Sequence, residues 1–461
     1  MRIHRRRGLA ALATAASVVS LSTLAACGNA NSSDNAGTGT TAKVSITVEG
    51  WRPGDQKATI AAVKQQAALF TKANPNIIVK PVEWSWDATT FSTQLAGDQL
   101  PTTFRVPFTD TKGLAERHQI ADVTSYVDAL PYANDFNLSV IAAAKGTDGK
   151  IYGLPTDVYG VGLHYNRQLF KQAGLDPNNP PTTWDEVRAD AKAIADKTGQ
   201  AGYVQMSTDN TGGWMLTTLS YALGGRMEST DGKTATVDNP ATKQALQMLH
   251  DMRWVDNSMG QNTNYEWTSI NQAFAAGKVG MYMSGSDVYS ALVTTNQVDP
   301  ATYGLAAMPL SNSSDAGILG GGSVDAVNAK ATPAEQAAAV KWNDFYREAK
   351  NYDPSAAAEN AKVLVASDQP VGTPTLPEFD QATWQKVQTA LKPYINVPLN
   401  HMTSFTKGVF DQQLIPEPAS QTQALYGILD SVVQKVLTDS NANIDQLLGD
   451  ANSQAQQLLG S

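Results

Sequence analysis

Three aromatic residues sit on short stretches framed by glycine or carboxylate. Trp51 lies between Gly50 and the run Arg52-Pro53-Gly54-Asp55, Tyr159 follows Asp157, and Trp214 follows Gly212-Gly213. An indole or phenol on such a loop offers a flat apolar face to the C–H side of a sugar ring. Neighbouring Asp, Asn or Arg side chains take the hydroxyls in paired hydrogen bonds. The same rings also suit packing at a loop base, so the pattern alone leaves both uses open. Trp84, Trp184, Trp254 and Trp342 fall inside helical or strand patterns and read as core.

Signatures of catalysis are missing. The chain has no His-Glu-x-x-His, no phosphate-binding loop ending in Gly-Lys-Ser/Thr, and no Gly-x-Ser-x-Gly. His118, His164, His250 and His401 are not spaced as metal pairs and read as structural. Gly320-Gly321-Gly322-Ser323 lacks the lysine and helix start of a phosphate loop. Two carboxylates for glycoside hydrolysis, drawn from distant parts of the chain, stay open. No cofactor or metal is expected.

The single cysteine, Cys27, has flanks that explain it. Arg2, Arg5, Arg6 and Arg7 form a positive cluster, and Gly8 to Leu24 is apolar and uncharged. This reads as a secretory signal peptide over residues 1–26. Leu24-Ala25-Ala26-Cys27 resembles a bacterial lipobox, which implies that Cys27 carries a diacylglyceryl group and fatty acid such as palmitate. Residues 27–42 are small and polar, bury too little apolar surface to order, and read as a flexible tether. The expected location is the extracytoplasmic face of the cell membrane, through a lipid anchor. Sec and twin-arginine export both fit the leader.

The elements that must position the rings follow from periodicity. Val44, Ile46 and Val48 alternate with polar residues before Gly50, as in a strand feeding a loop. Ile60, Val63, Ala67 and Phe70 share one helical face, and "IIVKPVEW" reads as the next strand. Strand, helix, strand opens an α/β unit with a largely parallel sheet, whose ligands bind beyond the strand ends. Thr183 with Glu186, and Thr332 with Glu335, are capping boxes. Two amphipathic helices follow Gln421, one marked by Leu425, Leu429, Val432 and Val436, the other by Leu447, Ala451, Ala455 and Leu458. Residues 367–379 read as a loop or crossover. The net charge of −9 becomes −13 once the four leader arginines are removed, which argues against nucleic acid. The remaining length calls for two lobes.

At residues 148–194 the chain resembles the family-1 extracellular solute-binding proteins of bacterial ABC importers. "GKIYGLP", "YNRQLFKQAGLDP" and "PTTWDE" come in the family's order, followed by "FAAGKVGM" at 274–281, "YGLAAMPL" at 303–310 and the run beginning "GGGSVDAVNAKATPAEQ" at 320. The resemblance implies an α/β, two-lobe periplasmic-binding-protein fold with a ligand cleft between hinge-linked lobes. Lobe 1 would comprise 43–155 and 324–375, and lobe 2 would comprise 156–323 and 376–461. It implies a binding protein, not an enzyme, that captures a mono- or oligosaccharide and delivers it to an ABC permease, as a monomer. The cleft residues it points to are Trp51, Arg52, Asp55, Asp110, Asp157, Tyr159, Trp214, Ser284, Asp287, Gly321 and Gly322. No ring appears in Ser284-Gly285-Ser286-Asp287, where many members carry one, so a smaller or more polar ligand is expected. The alternatives are the same fold with a peptide or polyamine, and a secreted carbohydrate hydrolase.

Overall fold

The computed structural model describes residues 43–460, except 54, 56 and 420, and not the side chains of 58 and 59. The leader, Cys27 and the tether therefore lie outside the described residues. Among the described residues nine strands form one sheet: β1 Val44–Trp51, β2 Ile77–Glu83, β3 Thr103–Pro107, β4 Gly153–Asn166, β5 Ala201–Tyr203, β6 Val279–Gly285, β7 Tyr303–Ala306, β8 Ile318–Val327 and β9 Leu414–Pro416. The order is β2-β1-β3-β8-β4-β6-β5, with β7 on β4 and β9 on β8.

The expected opening unit is present. The helix Lys57–Ala73 joins the parallel pair β1 and β2 and buries Val63, Ala67 and Phe70. The sheet as a whole is mixed rather than largely parallel. β8 runs antiparallel to both β3 and β4, and β4 runs antiparallel to β6 and β7. The reason is that β4 and β8 both pass through the middle of the molecule. The first part of β4, Gly153–Gly160, pairs with β8, while Val161–Asn166 pairs with β6 and β7. β8 likewise pairs with β3 at Ser323–Val327 and with β9 at Ile318–Gly320.

Helix ends follow the local chemistry. Both capping boxes form, and Gly199 closes its helix at φ 71°, a conformation that glycine adopts without strain. The two C-terminal helices span Thr422–Thr438 and Ile444–Leu459. In the second, Leu448 rather than Leu447 is the buried leucine, beside Ala451 and Ala455. Trp84, Trp184 and Trp342 are buried as expected, and Trp254 is half-buried with its Nε1 donating to the Val436 carbonyl. Among the described residues no helix is long and apolar enough to cross a membrane.

Candidate functional site

β4 and β8 are buried along nearly their whole length. In β4 only Asp157 and Tyr159 escape burial, and in β8 only Gly322 and Ser323. These positions are neighbours across the sheet, since Thr156 pairs with Ser323 and Tyr159 with Gly321. Between those pairs the register slips at a bulge, and Asp157 takes φ 51°, in the left-handed region. A bulge of this kind re-aims side chains and is favoured next to binding sites. It opens the centre of the sheet at one place.

Two glycines make room for the Tyr159 ring there. A Cβ on Gly321 would stand 2.4 Å from the Tyr159 hydroxyl oxygen, and one on Gly285 would stand 3.3 Å from its Cδ2. Trp214 meets Tyr159 edge to face, with ring centroids 6.0 Å apart and an interplanar angle of 89°. The pair forms an aromatic corner, both residues half-buried. Trp214 stands in the first turn of the helix Thr211–Ala222. That helix start is capped from a distance: the Asp430 carboxylate accepts the Asn210 and Gly213 N–H groups, each at 2.7 Å. Gly213 must be glycine because a Cβ would lie 2.3 Å from the Tyr426 carbonyl oxygen.

Carboxylates surround the corner. The Tyr426 hydroxyl donates to Glu417 Oε1 at 3.0 Å. Burial, with the charge of Asp110 added, pushes the Glu417 carboxyl up to about 7. Asp110, in the first turn of the helix Phe108–Glu116, and Asp287 are both held above the usual carboxylate range by loss of solvent. The Tyr159 hydroxyl is pushed up by burial and by the charges of Glu417 and Asp287, which places both acids near the ring. Gly322 completes the lining, since a Cβ there would approach Phe108 Cζ to 2.9 Å.

Asp157 is held differently. Its Oδ2 accepts Arg105 Nη1 at 2.6 Å, while Arg105 Nη2 and Nε donate to Glu49 Oε1 at 2.6 and 3.0 Å. Burial raises the Asp157 carboxyl, but Arg347 and Arg105 outweigh it and hold it below its ordinary value. Arg105 is thus neutralised by two acids and offers no free cation to a ligand.

The structure brings together Asp110, Asp157, Tyr159, Trp214, Asp287, Gly321 and Gly322. Trp51, Arg52 and Asp55 make their contacts elsewhere. The Arg52 N–H donates to Asp55 Oδ2 at 2.8 Å in an exposed turn, and Lys64 lies 5.1 Å from the Trp51 ring centroid. Ser284 is fully buried, its carbonyl 3.1 Å from His164 Nε2. His164 is itself sealed in the core, and burial pushes its pKa down to about 4. Glu417, Tyr426 and Asp430 were not legible as site residues. Arg105 left one signal, a charge between the apolar Phe104 and Val106 of β3. Among the described residues no group of three or more His, Cys, Asp or Glu side chains is placed to hold a metal ion.

Residues 65–360 match the profile of the bacterial extracellular solute-binding proteins. A binding protein of Brucella abortus is 29% identical over 167 residues, 35% of this chain and 38% of that one. The sn-glycerol-3-phosphate-binding periplasmic protein UgpB of Yersinia pestis is 30% identical over 131 residues, 26% of this chain and 29% of that one. The chain thus aligns with well under half the length of these curated relatives. Among solved structures, an ABC transporter solute-binding protein from Thermotoga lettingae, bound with α-D-tagatose, superposes with a TM-score of 0.68 at 18% identity. The superposition covers 90% of this chain and 100% of that one, and it shows a shared periplasmic-binding-protein fold.

Proposed function

The chain belongs to the bacterial extracellular solute-binding protein family, and we propose that it captures a mono- or oligosaccharide and delivers it to the permease of an ABC importer. The family is one of binding proteins, not enzymes. The observation that carries the sugar reading is the Tyr159–Trp214 corner, apolar on its faces and rimmed by Asp110, Asp157, Asp287 and Glu417 as hydroxyl acceptors. A sugar has an apolar face and a polar edge, which suits this combination.

The same acids argue against a phosphate-bearing ligand of the UgpB kind, because Arg105 is already committed to Glu49 and Asp157, and Arg347 is paired with Asp325. They favour one second reading, a cationic solute such as a polyamine. The proposed lobes are 43–155 with 324–375, and 156–323 with 376–461. One adjustment comes from the helix Gln381–Leu391, which packs on Pro354–Ala366 and so travels with the first lobe. The crossings at Pro155 and Val324 are paired neighbours, as a hinge requires. Closure works because a ligand touching both lobes stabilises the closed state selectively. The proposal includes a Cys27 lipid anchor at the outer face of the membrane and a monomeric state.

Calorimetry with a panel of saccharides, peptides and polyamines tests the reading. A saccharide binds the wild type, and Trp214→Ala weakens it at least tenfold. Selective polyamine binding favours the second reading, and cleavage of the sugar on long incubation overturns both.

A further inference from the structure

Residues of the segment 367–379 line a cavity of about 280 Å³ that the site above does not use. Its walls are the helices Pro354–Ala366 and Gln381–Leu391. Its lining includes the amides of Asn360, which is exposed, and Gln388, which is half-buried; neither is tied to another side chain among the described residues, so both are free to turn toward a ligand. The Thr373 hydroxyl is buried and unpartnered. Glu378 is engaged by Asn351. The half-buried Trp384 ring stands between this cavity and a second one of about 430 Å³, and it touches Phe410 edge-on with centroids 5.3 Å apart.

Two observations join the cavity to the Tyr159 corner. Ser290 lines it, and Ser290 lies one helical turn beyond Asp287. Asp157 also lies near enough to Glu378 for its charge to raise that carboxyl. Like the corner, the lining sets a flat indole beside a carboxyl, and it adds two side-chain amides; its volume is near the lower end of the ~300–1,000 Å³ range of small-molecule sites. Amides satisfy hydroxyls as donor and acceptor at once, without demanding a charge on the ligand.

We propose that this cavity is a second sugar compartment, so that the ligand has at least two units, one against Tyr159 and Trp214 and one against Trp384. The proposal rests on the saccharide reading of the corner. It makes the segment 367–379 a specificity element, because mono- and oligosaccharides share the first compartment and differ in the second.

The test is calorimetry with glucose, maltose and maltotriose, and with the matching xylose and mannose series. The proteins are the wild type, Trp384→Ala, the milder double variant Asn360→Ala/Gln388→Ala, and Trp214→Ala. The disaccharide of the bound series binds the wild type more tightly than its monosaccharide. Trp384→Ala weakens the disaccharide at least tenfold and the double variant three- to tenfold, with monosaccharide affinity changed less than twofold. Trp214→Ala weakens both sugars. If Trp384→Ala does not fold, as judged by its melting curve, the double variant carries the test. Unchanged disaccharide affinity, or equal losses for both sugars, overturns the second compartment and leaves the first standing. If no saccharide binds the wild type, the compartment and the saccharide reading fall together.

Discussion

Tyr159 occupies the space that a side chain on Gly321 would fill. An added Cβ would stand 2.4 Å from the Tyr159 hydroxyl oxygen and 2.7 Å from its Cζ, far inside van der Waals contact. The ring is anchored by the bulge on one strand and cannot slide along it, so it must rotate away. Gly321→Ala therefore costs about 1–3 kcal/mol through overpacking. It also separates Tyr159 from Trp214 and lowers ligand affinity at least tenfold. Urea melts and calorimetry on the same variant check both. Full affinity with unchanged stability would mean that the ring is not held between the two glycines.

The helix that presents Trp214 depends on a carboxylate from the far end of the chain. Asn210 provides no side-chain cap, and Asp430 accepts two of the N–H groups that a helix start leaves open. Asp430→Ala removes both bonds at once and should cost about 1–2 kcal/mol, the upper range for a lost cap. Asp430→Asn retains an acceptor oxygen and should recover about half. The Trp214 contribution to ligand affinity should fall in step, read as a smaller difference between Asp430→Ala proteins with and without Trp214→Ala. Equal stability of all three proteins would remove the remote cap.

Much of this architecture was legible in the sequence because it is local. The opening strand, helix and strand, both capping boxes and the Gly199 stop each follow from residues within a few positions of one another. Asp157, Tyr159, Trp214, Asp287 and Gly321 could be named as candidates because a carboxylate, an aromatic ring or a glycine in such a stretch is visible from residue type alone. The mixed sheet was not legible, since strand direction depends on how β4 and β8 thread the centre. Glu417, Tyr426 and Asp430 were invisible for a related reason. Asp430 meets Gly213 across 217 residues, and Tyr426 sits at a position that any amphipathic helix fills with an apolar or aromatic side chain. Arg52 and Asp55 read as cleft candidates from their types alone, and the bond that ties the Arg52 N–H to the Asp55 carboxylate within their turn was not visible from them.

The proposed lipid anchor has its own test. The resemblance of Leu24–Cys27 to a lipobox, followed by small polar residues, predicts that Cys27→Ser moves the protein from the membrane fraction to the soluble fraction, or leaves it uncleaved. Fractionation with labelled palmitate reads both. Correct cleavage with undiminished membrane binding and no label would exclude the anchor.

Glu417 makes stability depend on pH in a direction opposite to that of an ion-paired acid. Its carboxyl is raised from an ordinary 4.5 to about 7, chiefly by burial and further by Asp110, although the Tyr426 hydrogen bond favours the charged form. Below pH 4.5 the group is protonated folded and unfolded, and contributes nothing. Between 4.5 and 7 the unfolded chain releases this proton while the folded chain keeps it. Stability therefore falls as pH rises through that window, and the penalty levels off above 7 at about 3 kcal/mol. Asp325 and Glu378, raised to about 6 and about 7 by burial, slope the same way, whereas Asp157 slopes the other. Comparing Glu417→Gln with wild type isolates the one group, since Gln keeps an acceptor for the Tyr426 hydroxyl. The variant should match wild type at pH 4.5 and exceed it by about 3 kcal/mol at pH 8, as read from urea melts at pH 4.5, 6, 7 and 8. A difference that stays constant across the four would show that Glu417 ionises as freely in the folded protein as in the unfolded one.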